Sequence, residues 1–553
     1  MPNPPPPRKY LIQINGRKIF ARGSNWLPCD LLYGRPGRAV YEYLIRMATE
    51  ANHNLFRVWG CGVIDKPEFF DLCDRYGIML FQEFDGPWLP ETDAGLAITA
   101  RETREILPSL MNHPCIVRYC GGNEWYGNES NKRQMAQLRK ICNEVDPTRP
   151  YYDPDPQTLS QRHGPHWYAY QTHYQCYNTG EPLTMGPDNP IEWTEYGTSG
   201  ASSVETLQSI MPAKDLWPIR NDNPYWIWHK AFSALPEYGP EHWLDADQYR
   251  LLFGELPDLP TTVRCSQFLQ AEGLRYANQS MRRFRWHRSG CASWTFNEPW
   301  PNAAHGCTIE YFGRPKMAYY YTKQAFAPVD VLAVYSSLEA TVGKPMSVDL
   351  WAVNDHLEPL AGYQCRYRVT DLRGKILAEK TIPAEVPSEG NVKIGAVEWT
   401  PTAEMTGDVA LVWLDLLDAK NLAVAKHLYT FGVSVTDKTK QPLLAPMLKT
   451  TKTTLKATAL DRKVNAAGET ELTLEVQNTG AVPALFVKAE VVRSEAIEVG
   501  KLPPRLDWIY FSDNYFSLQA GESRRMRVTM AGHAPKQPAI RIDAWNAGVG
   551  ELR

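Results

Sequence analysis

Apolar positions follow two different rhythms along this 553-residue chain, and the rhythm changes near residue 328. Before that point, short apolar runs alternate with helical patterns. Val40, Leu44, Met47, Ala48 and Ala51 recur at spacings of three and four, the amphipathic period. They predict a helix over 38–53, and similar segments fall at 66–76, 97–111 and 130–145. The last of these stops at Asp146-Pro-Thr-Arg-Pro150, because proline cannot continue a helix. Strand-like runs lie at 19–26, 55–60, 78–84, 115–124, 151–155, 166–170, 190–197 and 291–298. This alternation predicts an α/β fold, a (β/α)8 TIM barrel over 1–327, with its longest insertion, at 198–290, between strands seven and eight.

After residue 328 the pattern is all-β. Met346-Ser-Val-Asp-Leu-Trp-Ala-Val353 and Val409-Ala-Leu-Val-Trp-Leu-Asp-Leu416 are short apolar or alternating blocks between turns. A Pro/Lys/Thr stretch at 436–454 reads as a linker, and Glu471-Leu-Thr-Leu-Glu-Val-Gln477 opens a second set of strands. Two Ig-like β-sandwich domains are expected, over 328–440 and 441–553. Only five of the 18 tryptophans follow residue 328, which sets the first unit apart in composition as well.

Charge narrows the class. Lys+Arg 59 against Asp+Glu 62 gives a net charge of −3, which argues against nucleic-acid binding and against a polybasic membrane anchor. No stretch approaches the roughly 20 apolar residues that cross a bilayer, and the Pro-rich start lacks a secretory h-region, so a cytoplasmic location is expected. The 11 cysteines form no CxxC pair, and His163 and His166 have no accompanying ligand cluster; no metal and no cofactor are expected.

Chemistry in a barrel sits at the C-terminal strand ends. Cys115-Ile-Val-Arg-Tyr-Cys-Gly-Gly-Asn-Glu124 and Pro190-Ile-Glu-Trp-Thr-Glu-Tyr-Gly197 are apolar strands that end in Glu124 and Glu195. A carboxyl in apolar surroundings beside a second carboxyl has a raised pKa and serves as an acid, while its partner stays ionised. Retaining glycoside hydrolysis needs such a pair about 5–5.5 Å apart.

The sequence resembles glycoside hydrolase family 2, most closely its β-mannosidase and exo-β-glucosaminidase branch. The resemblance rests on Asn15-Gly-Arg-Lys-Ile-Phe-Ala-Arg-Gly-Ser-Asn-Trp-Leu-Pro-Cys-Asp30, Arg57-Val-Trp-Gly-Cys-Gly62 and Phe69-Phe-Asp-Leu-Cys-Asp-Arg-Tyr-Gly-Ile-Met-Leu-Phe-Gln-Glu-Phe84. It continues through His113-Pro, Gly122-Asn-Glu124, Ser293-Trp-Thr-Phe-Asn-Glu-Pro-Trp300, Val353-Asn-Asp-His-Leu-Glu-Pro-Leu360 and Phe511-Ser-Asp-Asn-Tyr-Phe516. It implies Glu124 as acid/base, Asn123 on the sugar 2-hydroxyl, Glu195 as nucleophile, and Asp30, Trp59, His166, Trp294 and Asn297 lining the −1 subsite.

Departures bear on the sugar. The nucleophile segment reads Thr194-Glu-Tyr-Gly-Thr-Ser-Gly200 where family β-mannosidases carry Ser-Glu-Phe/Tyr-Gly followed by Gln-Ser. The Glu124-to-Glu195 gap is nearer that of exo-glucosaminidases, whereas Asn123 follows the general pattern. The resemblance thus implies a retaining exo-β-glycosidase acting on a β-linked oligosaccharide or glycoside. β-Mannoside ranks first, then β-glucosaminide, then β-galactoside or galactofuranoside. A non-catalytic carbohydrate-binding barrel is the alternative of another class, and a structural subunit of the same ancestry a further one. The jelly-roll and Ig-like domains that precede the barrel in the family have no counterpart in the sequence, so a homo-oligomer closing a wide barrel mouth is expected.

Overall fold

The computed structural model describes residues 11–84, 92–124, 131–156, 161–179, 191–231, 239–435, 442–491, 509–531 and 539–552. Eight parallel strands form the first unit: β1 Ala21–Trp26, β2 Leu55–Val58, β3 Met79–Glu83, β4 Ile116–Asn123, β5 Tyr151–Asp155, β6 Gln161–His163, β7 Ile191–Glu195 and β8 Arg288–Ser293. Hydrogen-bonded neighbours run β5-β4-β3-β2-β1-β8-β7-β6. Among the described residues, the barrel is therefore open only between β5 and β6. The helices α1 Arg38–Glu50, α2 Pro67–Tyr76, α3 Asp93–Leu110, α4 Lys132–Val145, α5 Tyr170–Thr179, α6 Leu259–Arg283 and α7 Met317–Ala325 accompany the strands. Local chemistry sets their ends: α2 begins with Pro67 and stops at Gly77, which takes the left-handed φ of 72°.

Strand alternation sorts side chains between the helical shell and the barrel interior. In β1, Trp26 packs outward on Phe56 and Phe69, with ring centroids 5.0 and 4.7 Å away. Its neighbour Asn25 faces the other way and donates to the Thr194 carbonyl at 2.9 Å. Phe56 and Val58 of β2 join the same outer cluster, which leaves Arg57 to the interior.

One predicted strand is displaced. The sequence suggests a sixth strand at 166–170, but β6 ends at His163 and Tyr170 opens α5. Gly164, at φ 75°, turns the chain, and Pro165 has no N–H to offer a neighbouring strand. His163 therefore stands at the strand end, with His166 in the loop beyond it. The insertion between β7 and β8 is helical, with short helices such as Val204–Ile210 and Ala246–Phe253 ahead of the 25-residue α6.

Two pairs of sheets follow. The first pair has three strands around Asp349–Asn354 and five around Val409–Leu417, all nine residues of the latter being buried. The second has four strands around Thr470–Asn478 and four around Ala484–Val491. Asp355 of the first sandwich fastens it to the barrel, accepting from Arg282 at 3.1 Å and pairing with Arg22 and Arg285. The second is held by Arg46–Glu469 at 2.6 Å and by Tyr510 donating to Glu50 at 2.7 Å.

Candidate active site

Glu124 and Glu195 lie at the same end of the barrel, Glu195 closing β7 and Glu124 one residue beyond β4. That is the C-terminal face, where barrel loops place reactive groups. The approach of β4 to β5 requires glycine. A Cβ on Gly121 would come within 2.3 Å of the Tyr151 hydroxyl and 2.7 Å of the Asp153 carbonyl. Glu124 itself has φ 52°, a conformation that costs a non-glycine residue on the order of 1–3 kcal/mol. Its N–H donates to the Asp155 carbonyl at 2.6 Å, which fixes the turn and aims the carboxyl.

A fully buried guanidinium organises the interior. Arg57 donates to Asn25 Oδ1 and Asn123 Oδ1, both at 2.6 Å, and to Glu83 Oε1 at 2.9 Å. It also meets Asp155 Oδ2 at 2.5 Å and pairs with Glu195 Oε1. Glu83 takes a further bond from the Gly60 N–H at 2.8 Å, and Asp155 one from the Thr194 hydroxyl at 2.6 Å. Three buried carboxyls around one cation leave excess negative charge; burial pushes Glu83 up to about 7, so protonation there relieves part of it, and a second cation offsets more.

His163 supplies it. Its Nδ1 lies 2.9 Å from Glu124 Oε1 and 3.5 Å from Glu195 Oε2, and its Nε2 lies 3.5 Å from Asp155 Oδ2. Burial disfavours the imidazolium, yet Glu195 and Asp155 outweigh it and raise His163 to about 9. Burial likewise opposes ionisation of Glu195, but His163, then Arg57 and His166, hold that carboxyl down at about 2. Burial also works to protonate Asp155, and Arg57 and His163 keep it below the usual carboxylate range. Glu195 is thus a carboxylate at neutral pH, and Glu124 is the carboxyl with access to solvent, its side chain 25% exposed.

The other residues expected from the sequence divide. His166 Nε2 reaches Glu195 Oε2 at 3.2 Å. Trp294 stands edge-on to His166 and to Trp59, at ring distances of 6.5 and 5.2 Å. Asn123 is held on Arg57 beside Glu124. These four gather with Glu124 and Glu195 at one place. Asp30 instead accepts from Arg35 at 2.7 and 2.8 Å and from Tyr311 at 2.8 Å. Asn297 bridges strand ends, its amide donating to the Leu27 carbonyl at 2.7 Å and accepting the Leu27 N–H at 3.1 Å. Glu192, three residues before Glu195 on the strand's other face, is paired with Arg118 at 2.7 Å.

Arg57, Glu83, Asp155 and His163 are absent from the sequence-based site. Arg57 had a usable signal: a lone charge inside the apolar run Leu55-Phe-Arg-Val58 needs buried anions as partners. For His163 the signal was misassigned with the strand.

Among the described residues, three groups bring His, Cys or carboxylate ligand atoms within 4.8 Å of one another. In the first, His113 bonds Asp74 at 2.6 Å, beside Cys115. In the second, Glu298 accepts from Asn302 at 2.9 Å, the Tyr311 N–H at 3.0 Å and Cys307 at 3.2 Å, beside His305. The third is Glu124, His163 and Glu195, where Arg57 and the imidazolium already supply the positive charge.

Comparison with known proteins agrees with the fold. Residues 8–232 match the family described as glycosyl hydrolases family 2, TIM barrel domain. Residues 346–433 match the mannosidase Ig/CBM-like domain and 435–547 the exo-β-D-glucosaminidase Ig-fold domain. A β-mannosidase of Bos taurus is 26% identical over 60% of this chain and 42% of its own. A mannosylglycoprotein endo-β-mannosidase of Lilium longiflorum is 23% identical over 97% of this chain and 64% of its own. Among solved structures, a β-D-mannosidase from Dictyoglomus thermophilum superposes with TM-score 0.74 at 22% identity, covering 97% of this chain and 62% of that one. An exo-chitosanase from Amycolatopsis orientalis, solved with PNP-β-D-glucosamine, gives 0.81 at 19%, covering 98% and 65%. The chain thus spans less than two thirds of the length of each of these proteins.

Proposed function

The chain belongs to glycoside hydrolase family 2, and within it we propose that this protein is a retaining exo-β-glycosidase, β-mannosidase-like, working by double displacement with the barrel over 1–327 as its catalytic unit. One observation carries the reading: a carboxyl oxygen of Glu124 and one of Glu195 lie within 4.8 Å of each other. That is the scale of retaining pairs, about 5–5.5 Å, and short of the roughly 6.5–9.5 Å that inverting enzymes keep for a water.

In the proposed course, Glu195, held ionised by Arg57, His163 and His166, attacks the anomeric carbon. Glu124 protonates the departing oxygen. The bond to the leaving group breaks as the Glu195 ester forms. Glu124, now a carboxylate, takes a proton from water, which opens the ester and restores both groups. Asn123, oriented by Arg57, offers its amide N–H2 to the sugar 2-hydroxyl, and Trp59, His166 and Trp294 wall the −1 position. The sandwiches over 328–440 and 441–553 brace the barrel from behind.

Leaving-group dependence tests the acid. Glu124→Ala is expected to lose about 100-fold or more on natural glycosides while activated aryl glycosides keep their glycosylation step. Added azide should then give the β-glycosyl azide; an α-azide would overturn the retaining assignment. A nitrophenyl glycoside panel ranks the sugar, with β-mannoside expected first. The exo-glucosaminidase-type domain match favours β-glucosaminide as the second reading. Product analysis on an oligosaccharide separates exo from endo action, since the lily relative is described as an endo-β-mannosidase. The proposal includes a homo-oligomer covering the exposed Leu31, Leu32, Tyr33, Trp228 and Trp300. A mass of one 62.8 kDa chain in light scattering, with full activity, would exclude it.

A further inference from the structure

We infer that His163 is a positioning residue for the reaction, an imidazolium that bridges the acid/base and the nucleophile and ties both to Asp155. The inference rests on the roles proposed above for Glu124 and Glu195.

The geometry places the ring between anions. Nδ1 faces Glu124 at 2.9 Å and Glu195 at 3.5 Å, while Nε2 lies 3.5 Å from Asp155 without a hydrogen bond. Ionised Glu195 on one side of the ring and Asp155 on the other favour its charged form. The groups around it point the same way. Glu124 comes from just beyond β4, Asp155 from β5, Glu195 from β7, and His166, which shares Glu195 Oε2, from the loop after β6. Arg57 of β2 stands behind, already committed to Asp155, Glu195 and Glu83. His163 is the cation that faces the acid/base itself.

Such a bridge acts on both carboxyls in the same sense. It favours the ionised nucleophile, and it stabilises the charge that develops on Glu124 as the leaving group takes its proton. Removing the cation takes away the first of the charges that hold Glu195 ionised. The acidic limb of kcat/KM, which requires ionised Glu195, should move to higher pH.

The experiment is the pH profile of kcat/KM for His163→Asn and His163→Gln in the full chain, with an aryl glycoside and a poor-leaving-group glycoside. The acidic limb is expected to rise by about one unit or more, with the larger rate loss on the poor leaving group. An unmoved acidic limb with equal losses on both substrates would mean a merely structural role and overturn the inference. Glu124→Ala runs alongside: if it keeps native activity on the poor leaving group, the acid/base assignment itself is wrong. Should neither His163 variant fold, 13Cε1-histidine NMR of the unaltered protein decides. One of the 12 histidines should remain imidazolium above pH 8, and titration of all of them below pH 7.5 would refute the bridge.

Discussion

Glu124 and Glu195 have the same side chain in different surroundings, and the difference suits the two roles proposed for them. Glu195 is 4% exposed, with Arg57 and two histidines on its oxygens. Glu124 borders solvent and has one histidine partner. The same charges enter stability. His163 is raised from 6.5 to about 9 in the fold, so its contribution is complete below pH 6.5 and is lost as pH rises toward 9. Glu195 is lowered from 4.5 to about 2, so its contribution is complete above pH 4.5 and is lost as pH falls toward 2. Melting temperature against pH should therefore be highest between about 4.5 and 6.5 and fall on both sides. The alkaline fall should be absent in His163→Asn. A melting temperature that stays level from pH 6.5 to 9 in the unaltered protein would contradict the charged pair.

At the scale of elements, the strands and helices with a strong period were legible, and the site followed where a residue sat at the end of such a strand. Glu124 and Glu195 were found because apolar runs lead into them. β6 was misplaced because it is only three residues, Gln161–His163, and polar. No two-residue alternation marks it, whereas His166-Trp-Tyr-Ala-Tyr170 looks apolar but follows a proline and opens α5. The displaced strand also left His163 out of the expected site, whereas His166, taken from the family resemblance, lies on Glu195. Asp155 closes the predicted strand 151–155, but Tyr151-Tyr-Asp-Pro-Asp155 lacks the apolar run that singled out Glu124 and Glu195, and it is the pairing of β5 with β4 that buries it. Asn297 shows the reverse case. Its motif was legible, but its amide spends both groups on Leu27 and so joins the ends of β1 and β8.

In the whole molecule, one face of the barrel carries the chemistry while the sandwiches grip it elsewhere. Asp355 collects Arg22, Arg282 and Arg285 from the strand and helix at the start and end of the barrel, so the first sandwich closes the seam where β1 meets β8. Tyr510 and Glu469 hold the second sandwich to α1. The most direct test of the account is covalent trapping: the protein is incubated with the 2-deoxy-2-fluoro analogue of the glycoside it hydrolyses best, then weighed and peptide-mapped. The account predicts one fluorosugar mass per chain, borne on Glu195. A label on Glu83 or Glu192, or turnover of the parent glycoside with no trapped adduct, would contradict it.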